Sequence, residues 1–340
     1  MSIRLEKLLD VWHSQIDQHQ WILATVIETA GSSYRKTGAM MFINDLGQYY
    51  GLISGGCLEP DIMRKARRCW DSGQNQTVCY DMRDEDDIGW QLGIGCGGMV
   101  KILLQPINKA NNFLELPLLK QQLSERQISH YAQDTTSTFP NNWVVKTGEI
   151  TSIVNSALSS DALTNSVIEH KFTPAPQIAI FGGGVDAQPL AAMAEVLGWR
   201  VIMYDPRVNY AQRDKFVHAE HIVRDKFLDL VGHPSLTQLD AVVIMTHNVK
   251  LDGEALLLVQ QSSADFVGLL GPKHRTEKVL KSVGISVEDL QKPLSNPIGL
   301  DIGGELPESI ALSITAEIHA VLENKIAFTQ ADKKGLKRVG

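Results

Sequence analysis

The chain lacks any run of about 18 apolar residues, the length that a membrane-spanning helix requires. Its first stretch, MSIRLEKLLDVWHSQIDQ, carries charges throughout and has no apolar core, so no secretory leader is expected. No Cys-x-x-Cys pair occurs among Cys57, Cys69, Cys79 and Cys96, which leaves a zinc ribbon or a thioredoxin-type motif without support. Their even number would suit disulfides. A chain of this length with no leader instead belongs in a reducing compartment, and the cytoplasm is the expected location. A basic excess is also missing. The formal net charge of -7 argues against a general nucleic-acid binder, although it leaves room for a local basic pocket that holds a small anion. Internal repeats and low-complexity tracts are absent as well.

What is present suits two ordinary globular domains. The 340 residues are 44% hydrophobic and 21% charged, close to globular averages, and each half is long enough to bury a core. In the first half, residues 4–19 read as an amphipathic helix and residues 21–30 as a buried strand. MMFIN and YYGLIS flank a turn and read as a hairpin. Leu58 to Trp70 reads as a helix whose outer face carries Arg64, Lys65, Arg67 and Arg68, followed by strands at 77–81 and 99–105. The pattern weakens between 108 and 176, apart from a helix near 112–124 and some alternation in WVVKTGEITSIV.

After Pro176 the rhythm changes. Apolar strands at 177–182, 200–205, 241–246 and 265–271 alternate with helical segments, the signature of parallel βαβ units covered on both faces. The expected fold class is α/β: a C-terminal Rossmann-type doubly wound parallel sheet with a separate N-terminal α+β domain. The expected boundaries are 1–172 for the first domain, 173–177 for a proline-containing linker, 178–325 for the Rossmann-type domain and 326–340 for a tail.

Between the strand at 177–182 and the next helix lies Gly182-Gly183-Gly184-Val185-Asp186-Ala187, a Gly-x-Gly-x-x-Ala pattern. In a strand–turn–helix context the first glycine permits the turn and the second admits a pyrophosphate. The small third residue, Ala187, allows close packing, and the helix N-terminus favours an anion. Asp205 stands where a Rossmann acid binds ribose hydroxyls. Arg207 either meets an extra phosphate or pairs with Asp205. Thr246, His247 and Lys273 follow later strands and should converge on the same crevice. Lys273 opposes its helix dipole, which favours an anionic partner. Against phosphate binding, Asp186 puts a negative charge inside the turn. By this half alone, an NAD(P)-dependent oxidoreductase is one reading, though no catalytic pair is evident.

In the first half two cysteines are flanked by glycines, in Ser54-Gly55-Gly56-Cys57-Leu58-Glu59 and Gly95-Cys96-Gly97-Gly98. Cys57 precedes a helix, a position that promotes thiolate character, and thiolates are the ligands of soft metals. Both could equally be small turn residues. Cys69 and Cys79 read as core.

These segments carry a family resemblance. ETAGSSYRKTGAMM, GLISGGCLEPDI and QLGIGCGGMVKILLQP resemble the N-terminal module of the XdhC/CoxI family. IAIFGGGVDAQPLA, VIMYDPR, THNVKLDGEAL, FVGLLGPKHR and NPIGLDIGGELPESIALSITAEI resemble its Rossmann module. The family's turn commonly has histidine where this chain has Val185, and its Thr-His-Asp-His element appears here as Thr246-His247-Asn248-Val249. The resemblance implies an accessory chaperone of molybdenum hydroxylases, not itself an enzyme. Such a protein binds the molybdenum cofactor (molybdopterin or its dinucleotide), supports its sulfuration, and inserts it into a xanthine dehydrogenase-like apo-enzyme. It implies as partners an apo molybdenum hydroxylase and a cysteine desulfurase. Under it Gly182, Gly183, Gly184, Ala187, Asp205, Arg207, Thr246, His247 and Lys273 hold the cofactor together with Gly55, Gly56, Cys57, Cys96 and Gly97. Cys57 and Cys96 would then contact its molybdenum–sulfur end. A scaffold that docks without ligand is a third reading, and a homodimer is the commonest assembly for such a chain.

Overall fold

The computed structural model describes residues 4–81, 83, 97–146 and 167–324. The chain divides into two compact units that part between Pro174 and Ala175.

The first unit is built on an antiparallel sheet of β1 (Trp21–Ala30), β2 (Met40–Asn44), β3 (Tyr49–Gly51), β4 (Gln76–Asp81) and β5 (Met99–Ile107), in the order β3-β2-β1-β5-β4. Strand β1 is central, and its residues alternate between two cores. Ile22, Ala24 and Val26 face the side of α2 (Glu59–Ser72), packing with Ile62, Ala66 and Cys69. Trp21 and Leu23 face the side of α1 (Leu5–Ser14) and α3 (Leu116–Ser124), packing with Leu9, Trp12 and Leu119. Burial on both faces explains the unbroken apolar run in β1.

A second sheet of β6 (Ser129–Asp134), β7 (Asn142–Lys146) and β8 (Val167–Phe172) has the order β7-β6-β8. Polar side chains join it to the five-stranded sheet. Gln133 on β6 donates to Thr25 on β1 (3.3 Å) and to Gln105 on β5 (2.7 Å). Asn142 and Gln105 exchange two bonds of 2.8 and 2.9 Å. His170 on β8 bonds through Nε2 to Gln133 Oε1 at 3.1 Å. That oxygen can only accept, so Nε2 carries the hydrogen.

The second unit holds a parallel six-stranded sheet with helices on both faces. Its strands are β9 (Gln177–Phe181), β10 (Arg200–Tyr204), β11 (His221–Val223), β12 (Ala241–Ile244), β13 (Phe266–Leu269) and β14 (Leu294–Ser295), in the order β11-β10-β9-β12-β13-β14. This is the strand order of a dinucleotide-binding Rossmann fold, with the switch point between β9 and β12. Helices α4 (Ala187–Val196) and α7 (Pro307–Leu322) cover one face, with Leu190, Ala191, Ile314 and Ile318 packed on Ile178, Ile180 and Val243. Helices α5 (Val249–Val259) and α6 (Lys273–Ser282) cover the other, against Phe181, Val242 and Ile244. The expected fold class, an α/β Rossmann-type domain beside a separate N-terminal domain with an antiparallel sheet, is what the chain adopts.

Several elements differ from expectation. Helix α1 ends at Ser14 and does not continue to residue 19. Helix α3 starts at Leu116 because Asn112 to Glu115 all have positive φ. Cys79, expected in the core, is exposed. It lies on the edge strand β4, where Val78 and Tyr80 take the buried positions and leave Cys79 on the outer face.

Burial holds the His170 imidazole down to about pKa 4, with the Glu169 charge only partly opposing. Above pH 6.5 the ring is neutral in both folded and unfolded chains. Below it, the unfolded chain takes up a proton that the folded chain refuses. Stability should therefore fall by about 3 kcal/mol as pH drops from 6.5 toward 4. Urea titrations of wild type and His170→Gln across this range check the effect: the difference between the two midpoints should depend on pH. A constant difference would show that His170 does not titrate differently on folding.

Candidate functional site

In the first unit, the loops after β1 and β3 meet Gly97 and Gly98, the two residues before β5, at one end of the sheet. The register pairs Ala30 with Met99 and Met41 with Gly51, which brings these chain segments together. A Cβ on Gly98 would overlap the carbonyl of Ser32, so the two backbones touch here and only glycine fits. The ring of Tyr34 lies against Gly55. Gly55, Gly56, Cys57 and Gly97 are all exposed, and the space beside Gly56 and Gly97 is open. Cys96, expected beside them, lies outside the described residues.

The Cys57 loop is organised from within by Glu59, which is fully buried. One carboxylate oxygen accepts from the amides of Ile53 (3.2 Å) and Ser54 (2.9 Å). The other accepts from Ser54 Oγ (2.5 Å) and the amide of Gly56 (3.0 Å). Ser54 Oγ in turn accepts from Leu58 N at 2.7 Å. Burial pushes the Glu59 carboxyl upward, but the bonds from Ser54, from Ile53 and from its own backbone amide outweigh it and hold it below the ordinary value. The result is a fixed loop that presents the Cys57 thiol to solvent at the N-terminal end of α2. Glu59 was not anticipated as a site residue, although an acid inside a Ser-Gly-Gly-Cys-Leu-Glu segment is the signal for such a clasp.

In the second unit, the loops after β9, β10, β12 and β13 gather at the carboxyl ends of the strands. Gly182 and Gly183 are buried, Gly184 is partly exposed, and Ala187 is buried at the start of α4. The Gly-x-Gly pattern assigns the space beside Gly183 to a pyrophosphate. In the structure a Cβ there would overlap the backbone of Ala211, so Gly183 makes that space for the chain itself. Among the described residues, the amides of Gly184, Val185 and Asp186 have no acceptor. Asp186 turns its carboxylate toward His247 on the β12 loop, with Oδ2 at 2.6 Å from Nε2.

Asp205 and Arg207 pair with each other. Asp205 is fully buried, and Arg207 Nη2 lies 2.7 Å from its Oδ2. A second buried acid, Asp252, holds the next loop. It accepts from Thr246 N (3.0 Å) and Thr246 Oγ1 (2.5 Å), and it pairs with Arg275. Thr246 is therefore a structural clasp for α5. Asn248 caps the same helix by accepting from Lys250 N and Leu251 N. Lys273 is exposed at the N-terminus of α6, with no partner among the described residues. The crevice thus balances three carboxylates against Arg207, Arg275 and His247, and Lys273 adds an unpaired positive charge. Asp252 was not anticipated from sequence. An acid six residues beyond a strand-end threonine was its only trace.

Two outcomes follow from this geometry. Glu59→Gln replaces an acceptor-only group with one that also donates, facing four donors, and should cost about 2–3 kcal/mol in urea unfolding. A loss below about 0.5 kcal/mol would rule out the clasp. The hydrogen bond that His247 donates to Asp186 raises the His247 pKa, and the Asp186 charge adds to this, while burial and the Arg275 charge oppose. In an NMR titration His247 should therefore keep its proton to a higher pH than an ordinary histidine, and Asp186→Asn should lower its midpoint.

Comparison with known proteins places these loops in a family. Residues 178–318 match the model of the XdhC Rossmann domain, and residues 16–81 match that of the XdhC and CoxI family. The chain is 31% identical over 313 residues to a Bacillus subtilis protein described as a probable subunit of xanthine dehydrogenase; the match covers 89% of this chain and 93% of that one. It is 23% identical over 310 residues to the molybdenum cofactor insertion chaperone PaoD of Escherichia coli, covering 88% and 83% respectively. A crystal structure from Bacillus halodurans, described as a xanthine dehydrogenase, superposes with a TM-score of 0.80 at 27% identity, covering 98% of this chain and 99% of that one. The chain belongs to the XdhC and CoxI family.

Proposed function

We propose that this chain is a maturation factor for a xanthine dehydrogenase-like molybdenum hydroxylase. It binds the molybdenum cofactor by its phosphate end, supports its sulfuration, and delivers it to the apo-enzyme. The observation that carries this reading is the row of amides at Gly184, Val185 and Asp186 at the N-terminal end of α4, which have no acceptor among the described residues. Free amides in succession at a helix N-terminus favour a phosphate, both by hydrogen bonding and by the helix dipole. Lys273 adds a positive charge in the same set of loops. The first unit, taken by itself, presents an exposed thiol, Cys57, on a loop held by Glu59 that also carries Gly55 and Gly56, chemistry that suits a soft metal or sulfur transfer. When bound, the cofactor itself would supply the molybdenum and dithiolene sulfur chemistry; the chain's residues would hold it. The name of the Escherichia coli relative, a cofactor insertion chaperone, supports the same reading. The partners are then an apo-hydroxylase and a sulfur donor such as a cysteine desulfurase, in the cytoplasm.

The test uses the full chain purified under reducing conditions. Oxidation should release a fluorescent pterin, and Cys57→Ser and Cys96→Ser should lower its yield without lowering the unfolding midpoint. Saturable NADH fluorescence enhancement without any pterin would overturn the proposal in favour of an oxidoreductase.

A further inference from the structure

A dinucleotide in a Rossmann domain lays a ribose between the glycine turn and the end of the second strand, where an acidic side chain accepts from the sugar hydroxyls. In this chain that acid is Asp205, and its acceptor sites are taken. Oδ1 accepts from Arg207 N (3.0 Å) and Arg207 Nε (2.9 Å). Oδ2 accepts from Gly183 N (2.8 Å) and Arg207 Nη2 (2.7 Å). The guanidinium is held from other directions too. Its Nη1 donates to the carbonyl of Thr246 at 3.1 Å, and it stacks 3.6 Å from the centre of the Tyr210 ring.

The segment behind Arg207 closes the same side. Ala211 is fully buried, donates its amide to Gly183 O at 3.1 Å, and fills the space beside that glycine. Arg224 pins it by donating to the carbonyls of Tyr210 (3.1 Å) and Ala211 (3.0 Å). The glycine turn is therefore closed toward β10. What stays accessible is Gly184 to Asp186, which His247 links to the β12 loop.

We infer that Arg207 is a specificity-determining residue: it fills the nucleoside seat, so the glycine turn takes a phosphomonoester and excludes dinucleotides. The inference rests on the preceding reading of the turn as a phosphate seat. A ribose entering here must displace a guanidinium from a buried carboxylate. The sugar hydroxyls offer that carboxylate neutral hydrogen bonds in exchange for charged ones, which is a net loss. A phosphomonoester carries no sugar beyond its phosphate and needs only the free amides. Among forms of a phosphorylated pterin, the site thus selects the one without an attached nucleotide. It excludes NAD on the same ground.

Binding is measured by calorimetry on the full chain with three probes: the oxidised, phosphate-bearing pterin derived from molybdopterin, the same pterin after phosphatase treatment, and ADP-ribose. The phosphorylated pterin should bind, the dephosphorylated one should bind at least tenfold more weakly, and ADP-ribose should fail to compete at a hundredfold excess. If ADP-ribose competes with similar affinity, the nucleoside seat is open and the inference falls, while the phosphate seat stands. If the two pterins bind alike, or neither binds, the phosphate seat itself falls and the inference with it. Arg207→Ser supplies a second arm, because it frees Asp205 for ribose hydroxyls. A folded variant should gain ADP-ribose binding by at least tenfold, and no gain overturns the role of Arg207. Should that variant not fold, the wild-type comparison decides alone.

Discussion

The crevice of the second unit is assembled around a carboxylate that never meets water. Asp205 ends β10, takes the amide of Gly183 after β9, and holds Arg207, which reaches the carbonyl of Thr246 after β12. One side chain thereby ties together three strand ends on both sides of the switch point. A buried charge persists only when it is paired and fully hydrogen-bonded. Removing one partner of such a pair costs about 3–5 kcal/mol, a large share of a domain's stability. Asp252 repeats the arrangement one strand further on, binding Thr246 and Arg275. The loops at the carboxyl ends of the strands are thus fixed by charge, and the sheet beneath them by apolar packing.

The first unit solves a similar problem without a cation. Glu59 has backbone amides and one hydroxyl as its partners, and it shapes the loop that carries Cys57. In both units an internal anion organises a glycine-rich loop and leaves the chemistry-bearing groups, Cys57 in one and the amides of Gly184 to Asp186 in the other, facing outward. Each loop is ordered before any ligand arrives, which reduces the entropy that binding must oppose.

Much of the fold is legible in the sequence where burial is simple. Strands β9, β10, β12 and β13 are covered on both faces, so they read as apolar runs, and their bounds fall within a few residues of expectation. Of the three-stranded sheet only β7 shows in the sequence, as alternation in its Trp-Val-Val-Lys stretch; β6 and β8 do not, because they turn Gln133 and His170 inward and break the alternation that marks a strand. Strands β11 and β14 are too short, at three and two residues, to show any period. At the site, the glycine turn and its place after a strand were legible. The pairing of Asp205 with Arg207 stood open as one of two alternatives. The occupation of Gly183's free space by Ala211 was not legible, because nothing in a Gly-x-Gly pattern says which chain segment will approach it.

The amide side chains between the two sheets of the first unit have a further consequence. Gln105, Gln133, Asn142 and His170 satisfy one another across the seam. An apolar seam would tolerate sliding, since one methyl group replaces another at little cost. Here a slip of β6 by a single residue would turn Gln133 to the opposite face and leave Gln105 and His170 each short of a partner. The seam therefore works as a keyed joint: it admits one alignment of the small sheet on the large one, and the chain from β8 onward leaves the unit from a single, defined position.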